Sequence, residues 1–180
     1  MAFIGAKPTN VPLTANDITD GSISVAKLTS TLDLSSNTVT LPSGVGGKVL
    51  QVVSGTLTSS YTTSSTSFVS TGLDVAITPS STSSKIFIIA TSYLDDNGTA
   101  RDVLSTIFRD STNLGDSTNG MMDSFGGSTR LRANHSMSFL DSPNSTSAIT
   151  YEVYYKTGGA SVSFNSQGSI SSITAMEVSA

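Results

Sequence analysis

His135 is the only histidine of this chain, and Glu152 and Glu177 are its only glutamates. Proton-transfer chemistry therefore has few candidates. A hydrolytic triad needs a nucleophile and an orienting acid around a histidine. By strand alternation His135 shares a face with Met137 and Phe139, and serine is so common here that a nearby one carries little weight. A packed structural histidine is the expectation. Glycoside hydrolysis needs paired carboxylates at a defined separation. Glu152 and Glu177 each fall in a strand pattern, and the sequence has no β-helix repeats of the kind that often carry such sites. Asp95-Asp96-Asn97-Gly98 resembles half of a calcium loop, but Thr99-Ala100-Arg101 breaks the series of oxygen ligands that such a loop requires. A turn is expected there. Asp116, Asp123 and Asp141 can join a metal site only through the fold. The Gly46-Gly47 and Gly126-Gly127 pairs lack the lysine and helix of a phosphate cradle and read as turns. No catalytic, cofactor or metal site is predicted, and no enzymatic activity.

Composition narrows the class. Of 180 residues, 37% are apolar and only 12% charged, while Ser and Thr supply about a third. Disorder normally pairs low hydrophobicity with high net charge and few β-branched residues. Here Val, Ile and Thr are abundant, which fits strands with a hydroxyl-rich surface. The formal net charge is -4. A nucleic-acid footprint needs clustered Lys and Arg, and the one local basic pair is Arg130 with Arg132. No nucleic acid is expected as a partner. With no cysteine, disulfides and thiolate ligands are excluded. No run of about 18 apolar residues occurs, so no membrane insertion is expected. MAFIGAKPTN lacks the basic and apolar regions of a signal peptide, so none is expected. Three Asn-X-Ser/Thr sequons, at Asn97, Asn134 and Asn144, read as chance matches in so hydroxyl-rich a chain.

The elements divide into two parts. Residues 1–46 hold three of the five prolines and few large side chains. Their apolar residues, including Phe3, Ile4, Val11, Leu13, Ile18 and Ile23, are irregularly spaced and cannot close a core alone. The segment reads as an extended N-terminal arm that buries them against sister chains or another protein. Pro42-Ser43-Gly44-Val45-Gly46-Gly47 marks the boundary. Over residues 47–180 strand signals recur every ten to fifteen residues, which is the spacing of an all-β sandwich. Lys48–Val53 is one apolar strand, and Leu57, Ser59 and Tyr61 share a face of the next. Phe68–Ile77 is a strand interrupted at Gly72 by a bulge or bend. Lys85–Thr91 is apolar on both faces and reads as central. Val103, Leu104, Ile107 and Phe108 have helical spacing, but without a C-cap and before a turn at Asp110–Asn113 they read as a strand. Ile149, Tyr151, Val153 and Tyr155 alternate with polar residues as a half-buried strand does. Strands at Val162–Phe164 and Ile173–Val178 complete the domain, and Asn113–Gly127 reads as one long loop.

Several motifs together resemble the fibre heads of tailed bacteriophages of the marine type. They are Val49-Leu50-Gln51-Val52-Val53, Thr66-Ser67-Phe68, Gly72-Leu73 with Ile77-Thr78-Pro79, Ser83-Ser84-Lys85-Ile86, Arg109-Asp110, Asp141-Ser142-Pro143 with Thr150-Tyr151, and Ile173-Thr174-Ala175-Met176-Glu177-Val178. Asn16-Asp17-Ile18, Asp20-Gly21-Ser22-Ile23 and Lys27-Leu28 are similar to linker modules of the same proteins. Each motif is weak alone; their order and spacing carry the likeness over nearly the whole chain. The resemblance implies a jelly-roll β-sandwich head of the C1q and tumour-necrosis-factor kind, assembled as a homotrimer. It implies a virion structural protein on the particle exterior. The chain lacks the long shaft of many such proteins, so a short tail fibre or spike for host attachment is expected. A capsid decoration protein or head fibre with a structural role is the alternative. A secreted adhesive or cytokine-like module is a third reading, disfavoured by the missing signal peptide. On the first reading Phe3, Ile4, Val11, Leu13, Ile18 and Ile23 anchor the arm to another virion protein. Asp95, Asp96, Asn97, Asn119, Asp123, Phe125 and Asn144, in turn-rich loops, are then the candidate contacts to a host glycan or protein. Tyr93, Phe125 and Tyr154 are the aromatics available to stack on a sugar, with core packing the simpler expectation for each.

Overall fold

The structure is a computed structural model that describes residues 48–96, 98, 102–126 and 129–179. The predicted arm, residues 1–46, lies outside the described residues. So do its candidate anchors Phe3, Ile4, Val11, Leu13, Ile18 and Ile23. The described chain is all-β: β1 (Val49–Leu57), β2 (Tyr61–Thr63), β3 (Val69–Ile77), β4 (Lys85–Asp95), β5 (Asp102–Arg109), β6 (Thr112–Asn113), β7 (Met122–Phe125), β8 (Arg132–Asp141), β9 (Ile149–Thr157), β10 (Val162–Phe164) and β11 (Ser171–Val178). They form two antiparallel sheets. Sheet A runs β1-β11-β4-β8, with β10 on the end of β4 and β2 beyond it. Sheet B runs β3-β9-β5, with β6 and β7 sharing the free edge of β5.

The topology follows from four pairings. Setting aside the short β2, β6 and β10, the first strand pairs with the last (β1 with β11) and the second with the seventh (β3 with β9). The third pairs with the sixth (β4 with β8) and the fourth with the fifth (β5 with β7). One long antiparallel hairpin has thus been rolled into two facing sheets, which is the jelly-roll arrangement. The expected fold class holds for the described residues.

Alternation decides which side chains enter the core. On β9, Ile149, Tyr151, Val153 and Tyr155 are buried, while Thr150, Glu152, Tyr154 and Lys156 face outward. On β3, Leu73, Val75 and Ile77 point in; on β4, Ile86, Ile88, Ala90 and Leu94 do. Ile173 and Ala175 of β11 pair with Ala90 and Ile88 of β4, so large and small residues interleave. Each buried Ile, Leu or Val contributes about 1.5–3 kcal/mol over leaving it exposed. The Gly72 expectation also holds. The register of β3 against β9 shifts between Ser70 and Asp74, and Gly72 has φ 75 there.

Two expectations are corrected. The apolar strand does not stop at Val53: β1 continues through Gly55 to Leu57, so Leu57 belongs to it rather than to the strand of Tyr61. Continuous pairing with β11 from Gln51↔Glu177 out to Leu57↔Ser171 outweighs the weak strand propensity of the Ser54-Gly55 step. Nor is Asn113–Gly127 one open loop. Its second half folds into β7, because β5 would otherwise leave the backbone groups of Asp102–Ser105 without strand partners on that edge.

A polar clamp joins the sheets where β8 ends. Asp141 is buried and accepts from Arg109 Nη1 at 2.8 Å and from the Tyr151 hydroxyl at 2.6 Å. Arg109 and Tyr151 are cross-strand partners in sheet B, whereas Asp141 belongs to sheet A. Burial first, and then the Asp141 carboxylate, push the Tyr151 phenol well above its ordinary range, so it stays a donor. Tyr151→Phe is expected to lower unfolding stability by about 1 kcal/mol and Asp141→Ala by about 3 kcal/mol, because the second leaves Arg109 and Tyr151 without their acceptor. Urea denaturation of the two variants checks the order, and equal losses would remove the clamp.

Candidate functional site

His135 is fully buried on the inner face of β8. Its Nδ1 meets the Ser105 hydroxyl of β5, and its Nε2 meets the Ser124 hydroxyl of β7 at 2.7 Å. A triad places a carboxylate on one ring nitrogen; here both nitrogens face serines, and Ser105 is itself buried. Burial lowers the His135 pKa to about 4, so the ring is neutral near pH 7. A neutral imidazole has one donor and one acceptor nitrogen, and the two hydroxyls complete it as a link between the sheets.

The two glutamates have separate structural roles. Glu152 faces outward on sheet B and accepts from the Ser70 hydroxyl and the Gly72 amide, which pins the β3 bulge. Glu177 is buried at the end of β11. Burial alone would raise its pKa, but hydrogen bonds from Ser80, Ser84 and Gln51 outweigh that and lower it to about 2. The Ser80 amide and hydroxyl donate at 2.7 and 2.6 Å, and Gln51 Nε2 at 2.6 Å.

The predicted contact residues do not form one site. Asp95 and Asp96 are buried rather than offered to a ligand, which corrects that expectation. Asp95 accepts from Arg130 Nε at 2.7 Å and Nη2 at 2.5 Å, and from Arg132 Nε at 3.2 Å. Asp96 Oδ1 accepts from the Gly98 and Leu131 amides, both at 2.8 Å. The reason is geometric: Asp95 and Arg132 are cross-strand partners, so the acid ends β4 against the only basic pair. Asn97 lies outside the described residues. Phe125 is 67% exposed at the end of β7, not packed in the core. Asn144 is exposed beyond the opposite end of β8, with φ 51 and its amide donating to the Ser142 carbonyl. Tyr93 and Tyr154 are half-buried, and Tyr154 stacks on Phe108 with centroids 4.0 Å apart. Only Asn119 and Asp123 come together, in a recess of about 360 Å³ on the outer face of sheet B that also includes Asp102 and Lys156.

Two features escaped the sequence reading. The first is an apolar row across the outer face of sheet A: Val52 pairs with Met176, Met176 with Phe87, and Phe87 with Leu140. Val52 is 55% and Leu140 51% exposed. Exposed Val49 and Leu50 continue the row toward the beginning of β1. Two residues along, the row becomes Ser54, Thr174, Ile89 and Ser138, and then Thr56, Ser172, Thr91 and Ser136. The face thus grades from apolar at the Val49 end to hydroxyl-rich at the Leu57 end. The one sequence signal was Lys85–Thr91, apolar on both faces. The second feature is a groove of about 480 Å³ along the edge strand β8, where Met121 and Met122 face Met137 and Phe139.

Acid titration should resolve the two buried ionisable groups. The pKa of His135 falls from 6.5 to about 4 on folding, so its contribution is complete above pH 6.5 and is lost as pH falls toward 4. The loss is on the order of 2–3 kcal/mol. The pKa of Glu177 falls from 4.5 to about 2, so its contribution is present above pH 4.5 and is lost as pH falls through 2. Stability followed by tyrosine fluorescence should lose the upper window in His135→Gln and the lower one in Glu177→Gln. A wild-type pH profile in both variants would refute these assignments.

The sequence matches no protein-family model and no curated protein.

Proposed function

We propose that the chain is a virion structural protein of a tailed bacteriophage, a short trimeric tail fibre or spike. Its N-terminal arm attaches to another virion protein and its jelly-roll head faces the host surface. The motif order described above supports the phage assignment. The apolar row Val52–Met176–Phe87–Leu140 supports the trimer most directly. Large exposed apolar patches on soluble proteins mark interaction surfaces. This one runs across a sheet face and leads back to Val49, the strand start nearest the arm in sequence. Three copies that share this face bury the row together. The hydroxyl-rich part of the face lies at the other end of β1 from Val49.

Native mass measurement of the full chain should give a trimer. Val52→Lys combined with Leu140→Lys should give a folded monomer with an unchanged far-ultraviolet spectrum, since both side chains are exposed within one protomer. A monomeric parent, or a double variant that stays trimeric, would sink the assembly. Deleting residues 1–20 is expected to abolish incorporation into particles; normal incorporation would remove the anchoring role. Purified protein should compete with infection. If it does not, while particles image with it on the capsid, the decoration reading replaces host attachment.

A further inference from the structure

We propose that the recess on the outer face of sheet B binds an uncharged saccharide. The inference rests on the host-recognition reading above and names its ligand class. Register builds the recess. Leu104 of β5 pairs with Lys156 of β9 on one side and with Asp123 of β7 on the other, so the three side chains share a face. Asp102, two residues before Leu104, falls on that same face. Leu104 itself is buried and forms an apolar floor.

Thr118 and Asn119 complete the wall from a loop held in one shape. Asp116 Oδ1 accepts from the Thr118 and Asn119 amides at 2.9 and 2.6 Å, and these bonds lower its pKa. Asp116 and Gly120 exchange backbone hydrogen bonds in both directions, and the Met121 amide donates to the Ser105 carbonyl at 2.7 Å. Gly120 has φ 69, and a Cβ there would sit 2.5 Å from the Ser105 carbonyl oxygen. The loop can seat only because residue 120 has no side chain. The Asn119 backbone is therefore fixed before any ligand arrives, which reduces the ordering cost of binding. Beside the recess runs an aromatic ridge. Lys156 Nζ lies 4.8 Å from the Phe68 centroid, Phe68 meets Phe108 edge-on, and Phe108 stacks on Tyr154.

The lining selects the ligand by elimination. Two carboxylates against one ammonium leave the recess net negative, which disfavours phosphates, sulfates and acidic sugars. The ammonium in turn opposes a bare cation, and no grouping of three His, Asp or Glu occurs among the described residues. An apolar ligand would desolvate Asp102, Asp123 and Asn119 without return. A polyhydroxylated neutral molecule satisfies the set. Its hydroxyls donate to Asp102 and Asp123 and accept from Lys156 and the Asn119 amide. Its C–H face rests on Leu104 or on the rim of Phe68.

Saturation-transfer NMR of the full chain tests this with glucose, galactose, mannose and N-acetylglucosamine against sialic acid and glucuronate. At least one neutral sugar should bind and the acidic ones should not. Asn119→Ala and Asp123→Ala should each weaken binding about fivefold or more, with melting temperature unchanged. Ile170→Ala, at an exposed residue outside the recess, should leave binding intact. Binding of acidic sugars only, or neutral-sugar binding unaffected by both recess variants, overturns the assignment. Failure to bind any sugar while labelled protein still adheres to host cells overturns the recess and spares the recognition role. Failure of both sugar binding and adhesion refutes the role and the recess together.

Discussion

The pairing of β1 with β11 is the constraint on which the head depends. It joins the first and last strands over the run from Val49↔Val178 to Leu57↔Ser171. Without it β11 becomes an edge strand, and Glu177 loses Gln51 from its shell. The pairings β3 with β9 and β4 with β8 nest inside it, and each closes a shorter loop than the one outside. Non-local closure of this kind is paid in chain entropy before its contacts form. The tight core of Tyr151, Tyr155, Phe164 and Ile173 is what offsets that entropy.

Buried polar groups then fix how the two sheets meet. Asp141 draws Arg109 and Tyr151 across the gap at the end of β8. His135, earlier on β8, links it to β5 and β7 through Ser105 and Ser124. Buried ionic and polar groups need not add net stability over an apolar core. Their geometry is directional, so each penalises a slipped register. β8 carries both, at positions 135 and 141.

The two outer faces differ in kind. That of sheet A grades from apolar to hydroxyl-rich along the strands. That of sheet B is overlaid by the 114–121 segment, which buries the outward-facing Leu104 and Thr106 and leaves a polar recess beside its aromatic ridge. An exposed apolar face suits contact between copies, whereas a concave polar lining suits a small ligand. On the proposed function, assembly and recognition fall to opposite faces of one sandwich.

Much of the fold was legible locally. The alternation of β9, the two-sided apolarity of β4 and the bulge at Gly72 are all readable because strand periodicity states which residues share a face. The strand at β5 was readable once its helical spacing was weighed against the absent cap. Periodicity says nothing about which strand lies alongside. That is why Leu57 went to the wrong strand and β7 was read as loop. The same blindness governed the site. Asp95 and Asp96 look like an exposed turn until Arg130, Arg132 and the Leu131 amide arrive from 35 residues or more away. Asn119 and Asp123 were singled out by loop length and turn chemistry, and register against Leu104 and Lys156 made them neighbours. The sequence by itself determined an all-β chain and the inward face of its best strands, since both depend on spacing within a strand. Only the tertiary structure decided the apolar row and the recess, since both depend on hydrogen-bonded register between strands far apart in the chain.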